Sequence, residues 1–396
     1  MTARSLVSVT NGDSFQFRLK TEIHFGRSAT AKVPDLLRKF GFRHVGVTID
    51  GAVQSQDPVV ALLESVGRDF ELTGVVVNDI AEPDYEHLDR CREVFVGKPL
   101  DVMIAIGGGS SLDLGKGISA LHRSSFPAIQ YRGSDLVKEP GAKIIAIPTT
   151  AGSGSEVTPN AVFTDSRERR KLGINGEFDR PIAAVLDPVL TASCPRSVTA
   201  SSGMDALVHA VESFVARGHS TMSRLFSREA FRLVFNQLPR VFERPDDLAA
   251  REGLQLGALY AGIALMNAGA GPAGALSYPL GVHHKVPHGI AGGVFLARVA
   301  QANVAHGFSG YGELYDVMEG ADHSLDAVAK SRRFVDAVLS WTQQIGVPTT
   351  LRGVGLGASD VPVLAAHARG LRAAFEMNPV SLSDRDVEVM LEAMIS

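Results

Sequence analysis

Cysteine is nearly absent: the 396 residues contain two, Cys91 and Cys194. They lie far apart, match no metal-ligand spacing and cannot build the disulfide framework of a small secreted domain, which points to a reducing, cytoplasmic setting. No run approaches the roughly 18 apolar residues of a membrane-spanning helix. Neither charge dominates: the formal net charge is −4, so no bulk attraction to nucleic acid or to an anionic membrane is expected. The opening M-T-A-R-S-L-V-S-V-T-N-G has no apolar h-region, so no signal peptide is expected. Internal repeats, low-complexity segments and long charge runs are missing as well.

What is present is ordinary globular material, 45% apolar and 21% charged, in a chain long enough that two domains are the default. Glycine is abundant, with 40 residues, many of them clustered. In the first half, apolar runs alternate with helix patterns. Ser14–Phe25 is β-like, Ala31–Phe40 helical, and His44–Asp50 a short strand ending in an acid. Val59–Val66 reads as a helix, Leu72–Val77 as a strand and Tyr85–Val96 as a helix. Asp101–Ile106 has the continuous apolar texture of a central parallel strand covered on both faces.

That strand runs into Gly107-Gly108-Gly109-Ser110-Ser111-Leu112-Asp113, which opens a helix. Backbone N–H groups at such a junction can approach a pyrophosphate. Lys143–Pro148 repeats the pattern and leads into Thr149-Thr150-Ala151-Gly152-Ser153-Gly154-Ser155, a loop of hydroxyls and glycine. Two such loops predict one ligand edge at the carboxyl ends of a parallel sheet. Asp50, at the end of an early strand, is placed to hydrogen-bond ribose hydroxyls and to favour NAD over NADP. Ala161–Thr164 and Ala183–Leu186 complete this half as strands, and Asp187-Pro188 marks a boundary.

Beyond it the texture is helical: Val198–Ala216, Ser223–Val234, Asp246–Leu265, His323–Ile345, Ala358–Arg372 and Ser383–Met394. The predicted division is an α/β dinucleotide-binding domain, 1–188, and a helical metal and substrate domain, 189–396. Within Ser202–Phe214, Asp205 and His209 are four residues apart and share one helical face. His288, between Pro287 and Gly289, is the candidate that closes a site with them. One carboxylate and two imidazoles suit Fe(II) or Zn(II) and leave positions open for water and substrate.

Taken together, G-G-G-S-S-L-D-L-G-K at Gly107–Lys116, P-T-T-A-G-S-G-S-E-V-T at Pro148–Thr158, D-P-V-L-T at Asp187–Thr191, G-M-D-A-L-V-H-A-V-E at Gly203–Glu212 and Y-P-L-G…P-H-G at Tyr278–Gly289 resemble the iron-containing (group III) alcohol dehydrogenases. Glycerol dehydrogenase, maleylacetate reductase and dehydroquinate synthase are related to these. The resemblance implies a Rossmann-like N-terminal domain, an all-α C-terminal domain of the dehydroquinate synthase-like type, and a cleft between them. It implies that Asp50 contacts ribose and that Gly107, Gly108, Gly109 and Ser110 hold pyrophosphate, with Asp113 in the same segment. It also implies that Thr149, Thr150, Ser153, Lys171 and Leu190 line the rest of an NAD(H) site, and that Asp205, His209 and His288 bind metal. Relatives are often dimers or larger, so a homodimer is the expectation.

The pattern departs from the family in two places. Gly274 stands where a fourth ligand, a histidine, is usual, and Val282-His283-His284-Lys285 replaces the common glycine and bulky residues. Three readings stay open. A metal binds through three protein ligands and water, or His283 or His284 supplies a substitute, or the metal is lost and Lys285 provides the positive charge. His284, Lys285 and His288 are the candidate catalytic residues. Hydride transfer between nicotinamide and a small carbonyl, one bearing a carboxylate or phosphonate to suit the cationic segment, is the expected reaction. A lyase or cyclase that uses NAD transiently, or a non-catalytic nucleotide-binding protein, is the alternative.

Overall fold

The computed structural model describes residues 14–395; the opening stretch read for a leader lies outside them. Nine strands are present among them: β1 (Glu22–Phe25), β2 (His44–Asp50), β3 (Glu71–Asn78), β4 (Val102–Gly107), β5 (Gly133–Ser134), β6 (Lys143–Pro148), β7 (Asn160–Asp165), β8 (Arg170–Asn175) and β9 (Ala183–Leu186). Six form one parallel sheet in the order β1-β9-β6-β4-β2-β3. β4 is buried along its whole length and β6 nearly so, which is why their runs are unbroken apolar rather than alternating. Helices α1 (Val33–Phe40), α2 (Asp57–Asp69), α3 (Tyr85–Arg92) and α4 (Gly109–Ala120) connect the strands. β8 pairs antiparallel with β7 and parallel with β5 in a small second sheet.

The rest is helical: α5 (Arg196–Val215), α6 (Thr221–Glu243), α7 (Leu248–Ala268), α8 (Pro272–His284), α9 (His288–Ala305), α10 (Gly312–Tyr315), α11 (Ala327–Gln344), α12 (Val361–Gly370), α13 (Arg372–Glu376) and α14 (Asp384–Ala393). Its core joins Phe231 to Phe334 and Phe235 to Trp341, with ring centroids 5.6 and 5.3 Å apart. No helix among the described residues is long and apolar enough to cross a membrane.

Three expectations shift. Of Ser14–Phe25 only Glu22–Phe25 becomes a strand, because only there does it pair with β9. Arg170–Asn175, which lies between the expected strands Ala161–Thr164 and Ala183–Leu186, is itself a strand whose polar residues are tolerated in the small sheet, where it is only partly buried. Asn267–Gly289, a stretch broken by glycine and proline, holds the whole of α8 and the start of α9.

Two contacts position the cleft. A Cβ on Gly154, in the loop after β6, would lie 2.4 Å from the Gly262 Cα of α7, so the sheet and the helical part meet backbone to backbone there. Glu212 of α5 is buried, and its carboxylate accepts N–H bonds from Gly271, Ala273 and Gly274 at 3.0, 2.6 and 3.1 Å, capping α8. Burial pushes its carboxyl up to about 7, against the lowering effect of the three amides.

Gly262→Ala is expected to destabilise the fold by roughly 1–3 kcal/mol, the usual cost of overpacking, measured by urea unfolding. For Glu212 the folded pKa lies above the unfolded 4.5, so its contribution is complete below pH 4.5 and is lost as pH rises toward about 7. The melting temperature of Glu212→Gln relative to the parent should therefore shift in the variant's favour across that window.

Candidate active site

α5 presents Asp205 and His209 one turn apart, both 9% exposed. His288 is the first residue of α9. It reaches them because the next residue is glycine: a Cβ on Gly289 would sit 1.8 Å from the Ser201 carbonyl oxygen of α5. Potential donor atoms of Asp205, His209 and His288 all lie within 4.8 Å of one another. His209 Nε2 and His288 Nε2 are 3.5 and 3.7 Å from Asp205 Oδ1.

These distances are long for hydrogen bonds. They approach the edge, about 3.4 Å, of a tetrahedron with ligand bonds of about 2.1 Å. A sheltered carboxylate facing two imidazoles across such gaps fits a divalent cation, and the two-histidine, one-carboxylate donor set suits Fe(II) or Zn(II). Burial holds the His288 imidazole below its ordinary pKa, with Asp205 opposing, and a neutral ring is the metal-binding form.

The ring of His288 stacks on Tyr278 of α8 at 5.1 Å. Burial and then the charge of Asp205 push the Tyr278 phenol up to about 12, so it stays protonated. Lys171 on β8 is almost buried, pairs with Glu82, and would lie 3.9 Å from a Cβ on Gly281 of α8. Its charge helps to lower the His288 pKa, which places it beside the centre.

The glycine loops converge on the sheet's carboxyl edge. Gly107 has φ 148°, and a Cβ there would meet both Asp50 and Ser111 at 2.7 Å. A Cβ on Gly109 would lie 2.7 Å from Ser153 Oγ, and one on Gly108 3.4 Å from Thr150. Asp50, Gly107–Gly109, Thr150 and Ser153 therefore line one cradle that side chains would fill, with Thr149 tied back by its N–H to the Gly107 carbonyl. Ser110 donates to the Ala81 carbonyl at 2.5 Å beside it.

Other residues singled out from sequence lie elsewhere. Asp113 turns inward, where it accepts from Ser155 Oγ at 2.5 Å and the Val162 N–H at 3.0 Å, and Lys116 lies 3.6 Å away. Its carboxylate is thus committed to the chain's own donors. The Leu190 side chain is 1% exposed in the sheet core. His283 packs on His367 of α12 at 4.8 Å, and the donor cluster contains neither His283 nor His284, so neither replaces the fourth ligand. The Gly274 N–H is committed to Glu212. Lys285 caps α8 in a left-handed conformation, exposed and without an ion pair among the described residues. The nearly buried cation whose charge acts on His288 is Lys171.

Sequence reasoning gave no role to Ser277, Tyr278 or Glu82. Tyr278 was visible as part of Y-P-L-G. Without α8 recognised as a helix, its neighbourhood with His288 had no signal.

Known families agree with this geometry. Residues 20–188 match the model of the iron-containing alcohol dehydrogenases, and residues 199–395 that of the C-terminal part of the Fe-containing alcohol dehydrogenase family. The NAD-dependent methanol dehydrogenase of Bacillus methanolicus is 30% identical over 87% of this chain and 90% of its own. The solved 1,3-propanediol oxidoreductase superposes with a TM-score of 0.89 at 27% identity, over 96% of this chain and all (100%) of its own. Sulfoacetaldehyde reductase from Bifidobacterium kashiwanohense, solved with NAD+, gives 0.87 at 26% identity over 97% of this chain and 100% of its own. The chain belongs to the iron-containing alcohol dehydrogenase family, enzymes that interconvert alcohols and carbonyl compounds with NAD(H) and a divalent metal ion.

Proposed function

We propose that the chain is an NAD(H)-dependent reductase or dehydrogenase of a small aldehyde or ketone carrying a carboxylate or phosphonate. The observation that carries the chemistry is the gathering of Asp205, His209 and His288 within 4.8 Å. When bound, NAD(H) supplies or accepts the hydride, and a divalent ion supplies Lewis-acid stabilisation of the carbonyl oxygen. The division into a dinucleotide-binding domain, 1–188, and a helical metal and substrate domain, 189–396, is part of the same reading.

The chain's own residues do the rest. Gly107–Gly109 give the pyrophosphate close access to backbone amides, and Asp50 takes the ribose hydroxyls. Thr149, Thr150 and Ser153 close the opposite wall. Asp205, His209 and His288 would hold the metal ion, and Gly274, having no side chain, adds no fourth protein donor. Tyr278, protonated and stacked on His288, keeps bulk water from that face and has a hydroxyl to donate. Lys171 holds positive charge where substrate and nicotinamide meet.

The anionic substrate rests on charge at the approach. Lys171, Arg169 and Lys285 are cations there, and Glu82 pairs with Lys171. The likeness to a reductase named for sulfoacetaldehyde, itself an anionic aldehyde, supports the same class. His284 and Lys285 then act on substrate entry rather than at the reacting carbon, which revises their expected place among the catalytic residues. The named relatives are dehydrogenases and reductases, which leaves no support for a lyase or a non-catalytic binder.

Chelation should abolish activity, and Fe(II) or Zn(II) should restore it. Asp205→Asn and His209→Ala should lower kcat/KM by at least about a hundredfold, on the scale of losing one strong transition-state contact, while NADH binding by fluorescence titration persists. Full activity after chelation would sink the metal reading. Against a carboxylate-bearing aldehyde and its uncharged methyl ester, kcat/KM should favour the acid by about tenfold, one buried or half-buried charge contact. Lys285→Ala should raise KM for the acid alone; an equal KM in parent and variant removes the anionic substrate class.

A further inference from the structure

The two imidazoles of the metal centre are held differently. His209 Nδ1 is buried with no hydrogen-bond partner among the described residues. His288 Nδ1 lies 2.7 Å from Ser277 Oγ, and Ser277, fully buried on α8, in turn donates to the Gly274 carbonyl at 2.5 Å.

A serine hydroxyl has one proton. Ser277 spends it on the Gly274 carbonyl, three residues back on its own helix, so toward His288 its oxygen is an acceptor. The neighbouring ring nitrogen must then carry hydrogen. That leaves the lone pair on His288 Nε2, the nitrogen that faces Asp205. We infer that Ser277 is a positioning residue that fixes His288 as its Nδ1–H tautomer and so presets Nε2 as a metal donor. This rests on the three-ligand metal reading.

Geometry around the serine supports the assignment. Ser277 and Gly274 sit one turn apart on α8, and Tyr278, next in sequence, stacks on the same imidazole. The ring is thus clamped on its face by the phenol and at its edge by the hydroxyl. Glu212 grips the start of α8 through the Gly274 amide, so the carbonyl that orients Ser277 belongs to a residue already anchored to α5. A site with one ligand fewer depends more on the orientation of those that remain, and partners of metal-bound histidines commonly contribute ten- to a hundredfold in metal affinity.

The test uses the full chain with 15N-labelled histidine, and Ser277→Ala as the variant. Alanine leaves the α8 backbone bonds intact and removes one buried oxygen. Three readouts are needed. Chelator competition gives the Zn(II) affinity of parent and variant. Nitrogen–carbon-proton correlation spectra of the metal-free proteins at pH 8 report which His288 nitrogen carries hydrogen, with His288→Gln supplying the assignment. Thermal unfolding checks that the variant is folded.

The expected result is an Nδ1–H signature for His288 in the parent, a mixed or Nε2–H signature in Ser277→Ala, and a loss of about tenfold or more in Zn(II) affinity. A parent that binds no Zn(II) would overturn the metal reading itself. A parent that binds Zn(II) while Ser277→Ala keeps both the tautomer and the affinity would overturn the role of Ser277 alone. Loss of affinity with an unchanged tautomer would also overturn it, since the serine would then act only by packing.

Discussion

The site depends on one buried carboxylate outside the donor cluster. Glu212 lies two turns beyond Asp205 on α5 and accepts three amide hydrogens from the first turn of α8. Those amides have no partner inside their own helix, so a buried acceptor there satisfies groups that would otherwise be costly to bury. The bond set ties the helix bearing Asp205 and His209 to the helix bearing Ser277 and Tyr278. His288 follows α8 across a three-residue turn, and Gly289 lets it settle against α5. Registry between the ligands is therefore a property of buried backbone groups rather than of the ligands themselves.

A second constraint brings the two chemistries together. The hydroxyl-rich loop after β6 would clash with α5 and α7 if it carried side chains at Gly152 or Gly154: the added Cβ atoms would meet Ser202 at 2.7 Å and Gly262 at 2.4 Å. The same loop presents Ser153 to Gly109 on the other side. Glycine here sets the distance between the glycine loops and the helix that carries Asp205 and His209. A hydride moves only across a short, well-oriented gap, so such backbone contacts matter to rate as much as to stability.

Charge follows the same layering. Beside the centre, Lys171 is nearly buried and paired with Glu82, while His283, His284 and Lys285 sit at the outer end of α8. The basic groups are thus spread over depth, with Lys171 nearly buried on β8 and Lys285 exposed where α8 ends.

Much of this was legible in the chain itself. Unbroken apolar runs at β4 and β6 and the glycine loops that follow them announce a parallel sheet with a ligand edge, and the four-residue spacing of Asp205 and His209 puts both on one face, because strand burial and helical periodicity are local properties. What only the tertiary structure decided is whatever depends on contacts between distant segments. It turned Asp113 toward Ser155 and Val162 and left Lys285 exposed at the end of α8. It brought Lys171 from a minor strand to the centre, and set Ser277 against His288 across a turn that glycine and proline had hidden. Each of these depends on how helices and strands pack, and packing geometry is a sum over many residues far apart in sequence that no local pattern records.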